Sequence, residues 1–324
     1  MSPLATPTIT IDHVSFNYVT YTKQSGLRGS WHDLFHRQKS TVAAVQDVSL
    51  TVAPGEVLGL LGANGAGKTT LIKLMTGILP ASAGQVRLLD DQHPFQKKPA
   101  FLQRIGVMLS QKSQLAWDLP PLDTLVLLRE IYHIPHDRFD HWLAFLTEQL
   151  AVTEQLHEPV RKLSLGQRIK FELICALIHT PEILFLDEPT IGIDVSSQAN
   201  IYRFLQQLNH DTQMTIILTS HNTKDIEALA QRVAVINHGQ KIFDGTPNGL
   251  ISRYASAATL EVVTDEPLET LPAHVTRVDE THYRVDATAL ATVPLDPAHI
   301  LQVHRHNGSL DDILTQLFSE EAPK

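Results

Sequence analysis

Apolar positions along this chain fall into two rhythms, and their alternation predicts a layered α/β protein. Nearly unbroken apolar runs have the length and content of strands buried on both faces. They are Val57-Leu58-Gly59-Leu60-Leu61, Ile105-Gly106-Val107-Met108-Leu109-Ser110, Pro181-Glu182-Ile183-Leu184-Phe185-Leu186 and Thr215-Ile216-Ile217-Leu218-Thr219-Ser220. Between them the spacing turns helical, over 70–75, 122–132, 139–150 and 167–173. Residues 8–56 read as short alternating strands, among them Thr8-Ile9-Thr10-Ile11 and Val48-Ser49-Leu50-Thr51-Val52, followed by a Pro54-Gly55 turn. After Gly245-Thr246-Pro247 the pattern changes to strand-like runs at 259–263 and 282–285, punctuated by Pro267, Pro272, Pro294 and Pro297, and ends in a helix over 310–318. The division expected is a large domain over 8–250 and a small α/β appendage over 251–324.

Composition narrows the class. The chain has 324 residues, 43% apolar and 19% charged, which suits a folded protein of one large and one smaller domain. A net charge of −9 argues against a general nucleic-acid-binding surface. The single cysteine, Cys175, excludes a disulfide framework and a multi-cysteine metal site, and reads as a core residue. The 17 histidines are scattered without metal-ligand spacing. No stretch approaches the ~18–20 apolar residues of a membrane span. Met1-Ser2-Pro3-Leu4-Ala5-Thr6 lacks the basic-then-apolar order of a signal peptide, so a cytoplasmic protein is expected.

The chemistry concentrates after the first buried run. Residues 62–69, Gly62-Ala63-Asn64-Gly65-Ala66-Gly67-Lys68-Thr69, fit G-x-x-x-x-G-K-[ST], the loop that wraps a nucleotide triphosphate tail. Glycines let successive amides point into one concavity, and the following helix turns its positive end to the phosphates. Lys68 reaches the β/γ-phosphates and Thr69 offers a hydroxyl to Mg²⁺. A second run ends in Asp187-Glu188. At such a strand end Asp187 can hold Mg²⁺ through water, and Glu188 can polarise an attacking water.

Leu163-Ser164-Leu165-Gly166-Gln167 lies between these two elements. Here the chain resembles the ATP-binding cassette (ABC) family, whose signature reads LSGGQ; Leu165 stands where the family usually has Gly. The pentapeptide alone is weakly specific, but its order and spacing make it strong. The resemblance spans about residues 8–250 and implies a P-loop ABC-type ATPase fold, with a parallel-sheet core, an antiparallel β-subdomain and a helical subdomain. It implies that Ser164, Gly166 and Gln167 contact ATP held by an opposite subunit, that Gln111 senses Mg²⁺ and water, and that Asp194 couples the two subunits. His221 matches the switch histidine on the γ-phosphate. Tyr18, with Tyr21 as a nearby substitute, matches the aromatic that stacks on adenine. Gly62, Ala63, Asn64, Gly65, Ala66, Gly67, Lys68, Thr69 and Thr70 form the phosphate-side contacts.

The resemblance further implies an ATPase subunit using ATP and Mg²⁺ at the cytoplasmic face of a membrane. Its partners would be a second ATPase subunit, simplest as a homodimer, and membrane-spanning permease subunits on separate chains. The stretch after Gln111, Lys112-Ser113-Gln114-Leu115-Ala116-Trp117-Asp118-Leu119-Pro120, resembles a subgroup paired with ABC-2-type membrane subunits, which leans toward export. Trp117 reads equally as an exposed anchor or as packing within the helical subdomain. The insertion over 22–40, with Leu27, Trp31, Leu34 and Phe35 on one helical face among basic residues, is either a membrane- or partner-surface helix or an excursion packed on its own domain. The rival readings are a non-transport ABC ATPase and a regulatory ATP-binding subunit.

Overall fold

A computed structural model of the chain describes residues 6, 8–21, 39–90, 92–110, 112–220, 222–254, 259–267, 271, 275–279, 281–286, 299–306 and 310–319. The insertion expected at 22–40 falls almost wholly outside them; only Lys39 and Ser40 are described, and they begin a strand. The described chain forms two compact units that divide after Asp244.

The first unit contains two sheets. Strands β1 (Ile9–Tyr21), β2 (Lys39–Val52) and β4 (Ala83–Leu88) form an antiparallel sheet in the order β2-β1-β4. The sequence predicted short strands here, yet β1 and β2 run for 13 and 14 residues. The reason is visible in the burial. Ile9 and Ile11 face inward at odd positions, then Val14 and Phe16 at even ones, so the two-residue rhythm changes phase. Register shifts between Ile11 and Val14, with His13 at positive φ, absorb the extra residue as a bulge. In β2, Val45 gives way to Val48 and Leu50 across Asp47, also at positive φ.

The second sheet is the scaffold of the site. Its six strands lie in the order β5-β6-β7-β3-β8-β9, with β3 (Val57–Leu61), β5 (Ile105–Met108), β6 (Ile183–Asp187), β7 (Thr215–Ser220), β8 (Arg232–Asn237) and β9 (Gln240–Gly245). β5, β6, β7, β3 and β8 pair in parallel; Phe185 sits opposite Ile217, and Leu58 opposite the same residue from the other side. Every residue of β3, β6 and β7 is buried, as their unbroken apolar runs require. β5 ends at Met108, earlier than its apolar run, because Lys112 N–H donates to Leu109 O and turns the chain. Helix α1 (Lys68–Met75) buries Leu71, Ile72 and Met75 in one core with Ile9, Val14, Leu58 and Ile217, which locks the two sheets together. Each such side chain removed from water contributes ~1.5–3 kcal/mol.

Helices α2 (Pro99–Leu102), α3 (Pro121–Tyr132), α4 (His136–Gln149) and α5 (Leu165–Leu177) come after β4 and β5, as the helical spacing predicted for 122–132, 139–150 and 167–173. Glu172 of α5, buried, fixes this group to the end of β5. Its carboxylate accepts from Ser113 Oγ and from the amides of Gln114 and Leu115 at 3.1 and 3.4 Å. Cys175 is buried in α5, and burial pushes its thiol well up from the ordinary range. Trp117 is exposed and lies under the Arg168 guanidinium at 5.2 Å, so it is not packed inside the helical subdomain. Helices α6 (Val195–Thr212) and α7 (Thr223–Leu229) flank β7.

The second unit begins with helix α8 (Pro247–Tyr254) and contains β10 (Thr259–Thr264), β11 (Val275–Arg277), β12 (His282–Asp286), β13 (Ile300–His306) and helix α9 (Leu310–Ser319). Its antiparallel sheet has the order β11-β12-β10-β13 around a core of Val262, Val275, Tyr283 and Val285. Among the described residues no helix is long and apolar enough to cross a membrane.

Candidate functional site

The C-terminal ends of β3, β6 and β7 lie side by side, the edge at which parallel sheets gather ligand-binding loops. From β3 the chain turns through residues 62–67 into α1. Gly67, the residue before that helix, has φ 111°, and a Cβ there would lie 2.3 Å from Ala44 O. Only glycine allows the loop to lie this close to β2. The turn delivers the unpaired first amides of α1 to a cleft of about 440 Å³. Asn64, Gly65, Ala66, Gly67, Lys68, Thr69 and Thr70 line it, opposite Tyr18 and residues 42–44 of β2.

Lys68 is 5% exposed. Its Nζ donates to Gly62 O at 2.7 Å and Ala63 O at 3.0 Å, so those two residues shape the site from behind the lining. Burial lowers its pKa, while the carboxylates of Glu188 and Asp187 oppose the shift. Asp187 is 1% exposed at the end of β6. Three hydroxyls donate to it: Thr219 at 2.7 Å, Thr69 at 3.0 Å and Ser110 at 3.1 Å. These charge-assisted bonds offset the cost of burying the carboxylate. Glu188 follows at positive φ (54°), and its N–H donates to both Thr219 Oγ1 and Thr219 O, at 3.1 and 3.2 Å. A left-handed conformation in a non-glycine residue costs about 1–2 kcal/mol. It is sustained where surrounding bonds fix it, often at functional positions. Glu188 shares the lining with Lys68 and Ser110. Tyr18 lies edge-on to Phe16 at 4.9 Å, with its hydroxyl 3.4 Å from Thr70 Oγ1 and one side open to the cleft.

These residues fit a Mg-nucleotide. The cationic Lys68 and the amide-rich turn suit a polyphosphate. Thr69 Oγ1, Ser110 Oγ and the Asp187 carboxylate gather hard oxygen donors of the type Mg²⁺ takes in part from protein and in part from phosphate and water. Ser110 and Thr219 had no signal in the sequence beyond lying at or next to the end of a buried run; pairing of β6 with β5 and β7 puts them on Asp187. Gln111 and His221 lie outside the described residues.

The signature residues gather elsewhere. Ser164 caps α5, its hydroxyl accepting from Gln167 N–H at 3.2 Å while Gln167 Oε1 accepts from Ser164 N–H at 2.8 Å. Gly166 is buried at the start of α5, where a Cβ would meet Ser197 Oγ at 2.9 Å and Asp194 Oδ2 at 3.6 Å. Asp194 in turn caps α6, accepting from Ser197 N–H at 2.9 Å, and that amide holds its pKa below the ordinary range. Leu165 is half-exposed and lies against Gly192. None of Ser164, Gly166, Gln167 and Asp194 lines the phosphate-loop cleft. One chain therefore carries two separate surfaces, a phosphate-loop cleft and a signature face.

Comparison with known proteins places the chain in a family. The ABC transporter family model matches residues 45–191. The ABC transporter ATP-binding protein NatA of Bacillus subtilis is 35% identical over 218 residues, covering 67% of this chain and 87% of its own. The Nod factor export ATP-binding protein I of Cupriavidus pinatubonensis is 30% identical over 294 residues, covering 88% and 89%. In fold, the chain is similar to an ATP-binding subunit of an ABC transporter with a TM-score of 0.62 at 19% identity, over 76% of this chain and 93% of that one. A dimeric bacterial ABC transporter cassette gives 0.61 at 19%, over 74% and 98%. The order of loop, signature and carboxylates on this sheet thus has its explanation in descent: the chain belongs to the ABC transporter ATP-binding proteins and is an ATPase.

Proposed function

We propose that the chain, through residues 8–250, is the ATP-hydrolysing subunit of an ABC exporter. It works as a dimer with a second copy, and drives membrane-spanning subunits on separate chains from the cytoplasmic face of the membrane. The observation that carries this reading is the separation of its two half-sites. Lys68, Thr69, Asp187 and Glu188 gather at one cleft, whereas Ser164, Gly166 and Gln167 gather on another face beside Asp194. A site completed by two chains uses both.

In this reading Lys68 and the amides of residues 64–69 bind the phosphates, and Tyr18 stacks on the adenine. Thr69, Asp187 and Gln111 hold Mg²⁺, which supplies charge neutralisation at the transferred phosphoryl group. Glu188 takes a proton from water, and His221 donates to the phosphoryl oxygens. Ser164 donates from the opposite subunit, with the N-terminal dipole of α5 behind it. Asp194 links the two sites. Loss of these paired contacts after hydrolysis lets the dimer open, a two-state element biased by nucleotide. Export is supported by the names of several relatives, among them the Nod factor export proteins.

The test is a pull-down from detergent-solubilised host membranes with tagged Glu188→Gln and Mg-ATP, read by mass spectrometry. A multi-span protein in near-stoichiometric amount is the expected result. Recovery of ribosomes, repair proteins or no partner, with ATP-dependent dimers confirmed, would overturn the transport reading.

A further inference from the structure

Behind the cleft lies a second buried carboxylate that none of the roles above uses. Asp225, in the first turn of α7, is 2% exposed and accepts from four side chains. Thr190 Oγ1 donates to Oδ2 at 2.7 Å and Ser220 Oγ to the same oxygen at 2.8 Å. Gln198 Nε2 donates to Oδ1 at 3.3 Å, and the Tyr202 hydroxyl bonds the same oxygen. Burial, and then this bond to Asp225, raises the Tyr202 pKa, so the phenol stays protonated and remains a donor.

The four donors come from three segments. Thr190 lies two residues after Glu188. Ser220 ends β7 and precedes His221 in the chain. Gln198 and Tyr202 lie on α6, the helix capped by Asp194. All three segments border a cleft of about 240 Å³ whose lining, among the described residues, includes Glu188, Gly192, Ile193 and Asp225 but no Lys or Arg. Hydroxyls rotate and can donate or accept. The two Asp225 oxygens give these four donors a common set of acceptors, which ties the three segments to one point. Ser220 Oγ has two acceptors in reach, Asp225 Oδ2 at 2.8 Å and Asn222 O at 3.0 Å, and it accepts from Asn222 N–H at 2.8 Å, which ties the end of β7 to the turn before α7.

We propose that Asp225 is the positioning residue that sets Glu188, the Asp194 turn and the strand end before His221 in mutual register for hydrolysis. It acts through Thr190, Ser220, Gln198 and Tyr202. The inference rests on the proposed roles of Glu188, Asp194 and His221. It separates two steps, because none of the phosphate-loop residues 62–70 lines this second cleft or bonds to Asp225.

The experiment measures kcat for ATP, the Kd of a fluorescent ATP analogue and the melting temperature for wild type, Asp225→Asn, Tyr202→Phe, their double variant and Glu188→Gln. Misplacing a catalytic group by an ångström costs roughly a hundredfold in rate. Asp225→Asn, nearly isosteric but partly a donor, should lower kcat by roughly ten- to a hundredfold and leave Kd within about twofold. Tyr202→Phe should lower kcat by roughly three- to tenfold, and the double variant should be no slower than Asp225→Asn. An unchanged kcat in folded Asp225→Asn, with only a lower melting temperature, would show a merely structural carboxylate and overturn the proposal. Should Asp225→Asn not fold, Tyr202→Phe decides alone, and an unchanged kcat in it overturns the proposal equally. A Kd that weakens as much as kcat falls would place Asp225 in nucleotide binding and also overturn it. Full activity in Glu188→Gln would instead overturn the assigned role of Glu188, a failure distinct from that of Asp225.

Discussion

Replacing Lys68 by alanine tests the cleft most directly, and the structure bounds the size of the effect. The ammonium has three protons, and two are engaged by Gly62 O and Ala63 O. One is left for a phosphoryl oxygen while the loop keeps its shape. A hydrogen bond involving a charged group contributes about 1.5–3 kcal/mol, or roughly 10- to 150-fold in Kd. The nearby carboxylates of Asp187 and Glu188 push the same way, since without Lys68 their negative charge faces a polyanion with one cation fewer beside it. Roughly tenfold is therefore the floor for Lys68→Ala. Equilibrium titration with a fluorescent ATP analogue at fixed salt measures it. Lys68→Arg, which keeps the charge but not the compact ammonium, separates charge from loop geometry. A folded Lys68→Ala protein that binds within about twofold of wild type would refute the assignment of the loop as the phosphate site.

The same geometry sets further outcomes. Glu188→Gln should bind the analogue normally, hydrolyse ATP roughly a hundredfold more slowly or worse, and accumulate as a closed dimer by size-exclusion chromatography; an unimpaired rate removes Glu188 from its role. Ser164→Arg should abolish steady-state hydrolysis yet leave nucleotide binding by the monomer intact, because Ser164 lies off the cleft of its own chain. Lost binding in the monomer contradicts that placement. Asp244 provides a pH-dependent case: burial works against its charge, but bonds from Arg232 and Lys241, at 2.6 and 2.7 Å, outweigh it and leave its pKa lowered. A depressed folded-state pKa stabilises above the unfolded carboxylate value of about 3.9, and that stabilisation is lost as pH falls through the folded value. Asp244→Asn should cost about 2 kcal/mol at pH 7 in urea denaturation, with the difference from wild type shrinking below about pH 4. A difference constant across pH would contradict the ion-pair account.

The sequence by itself determined the parallel sheet and its chemistry-bearing ends. Burial on both faces demands unbroken apolar runs, so β3 and β7 were readable to the residue and β6 nearly so. The phosphate loop was readable because its glycines and Lys68-Thr69 are fixed by local backbone geometry. The two long strands of the antiparallel sheet were not, because bulges at His13 and Asp47 shift the two-residue rhythm without leaving a compositional mark. Strand order was equally hidden. Ser110 and Thr219 meet Asp187 only because β5 and β7 flank β6, and Thr190, Ser220 and Tyr202 meet Asp225 across gaps of 35, 5 and 23 residues. Local patterns report whether a residue is buried and how its own backbone turns. Which distant donors satisfy a buried carboxylate is decided by pairing and packing between segments, and only the tertiary structure holds that information.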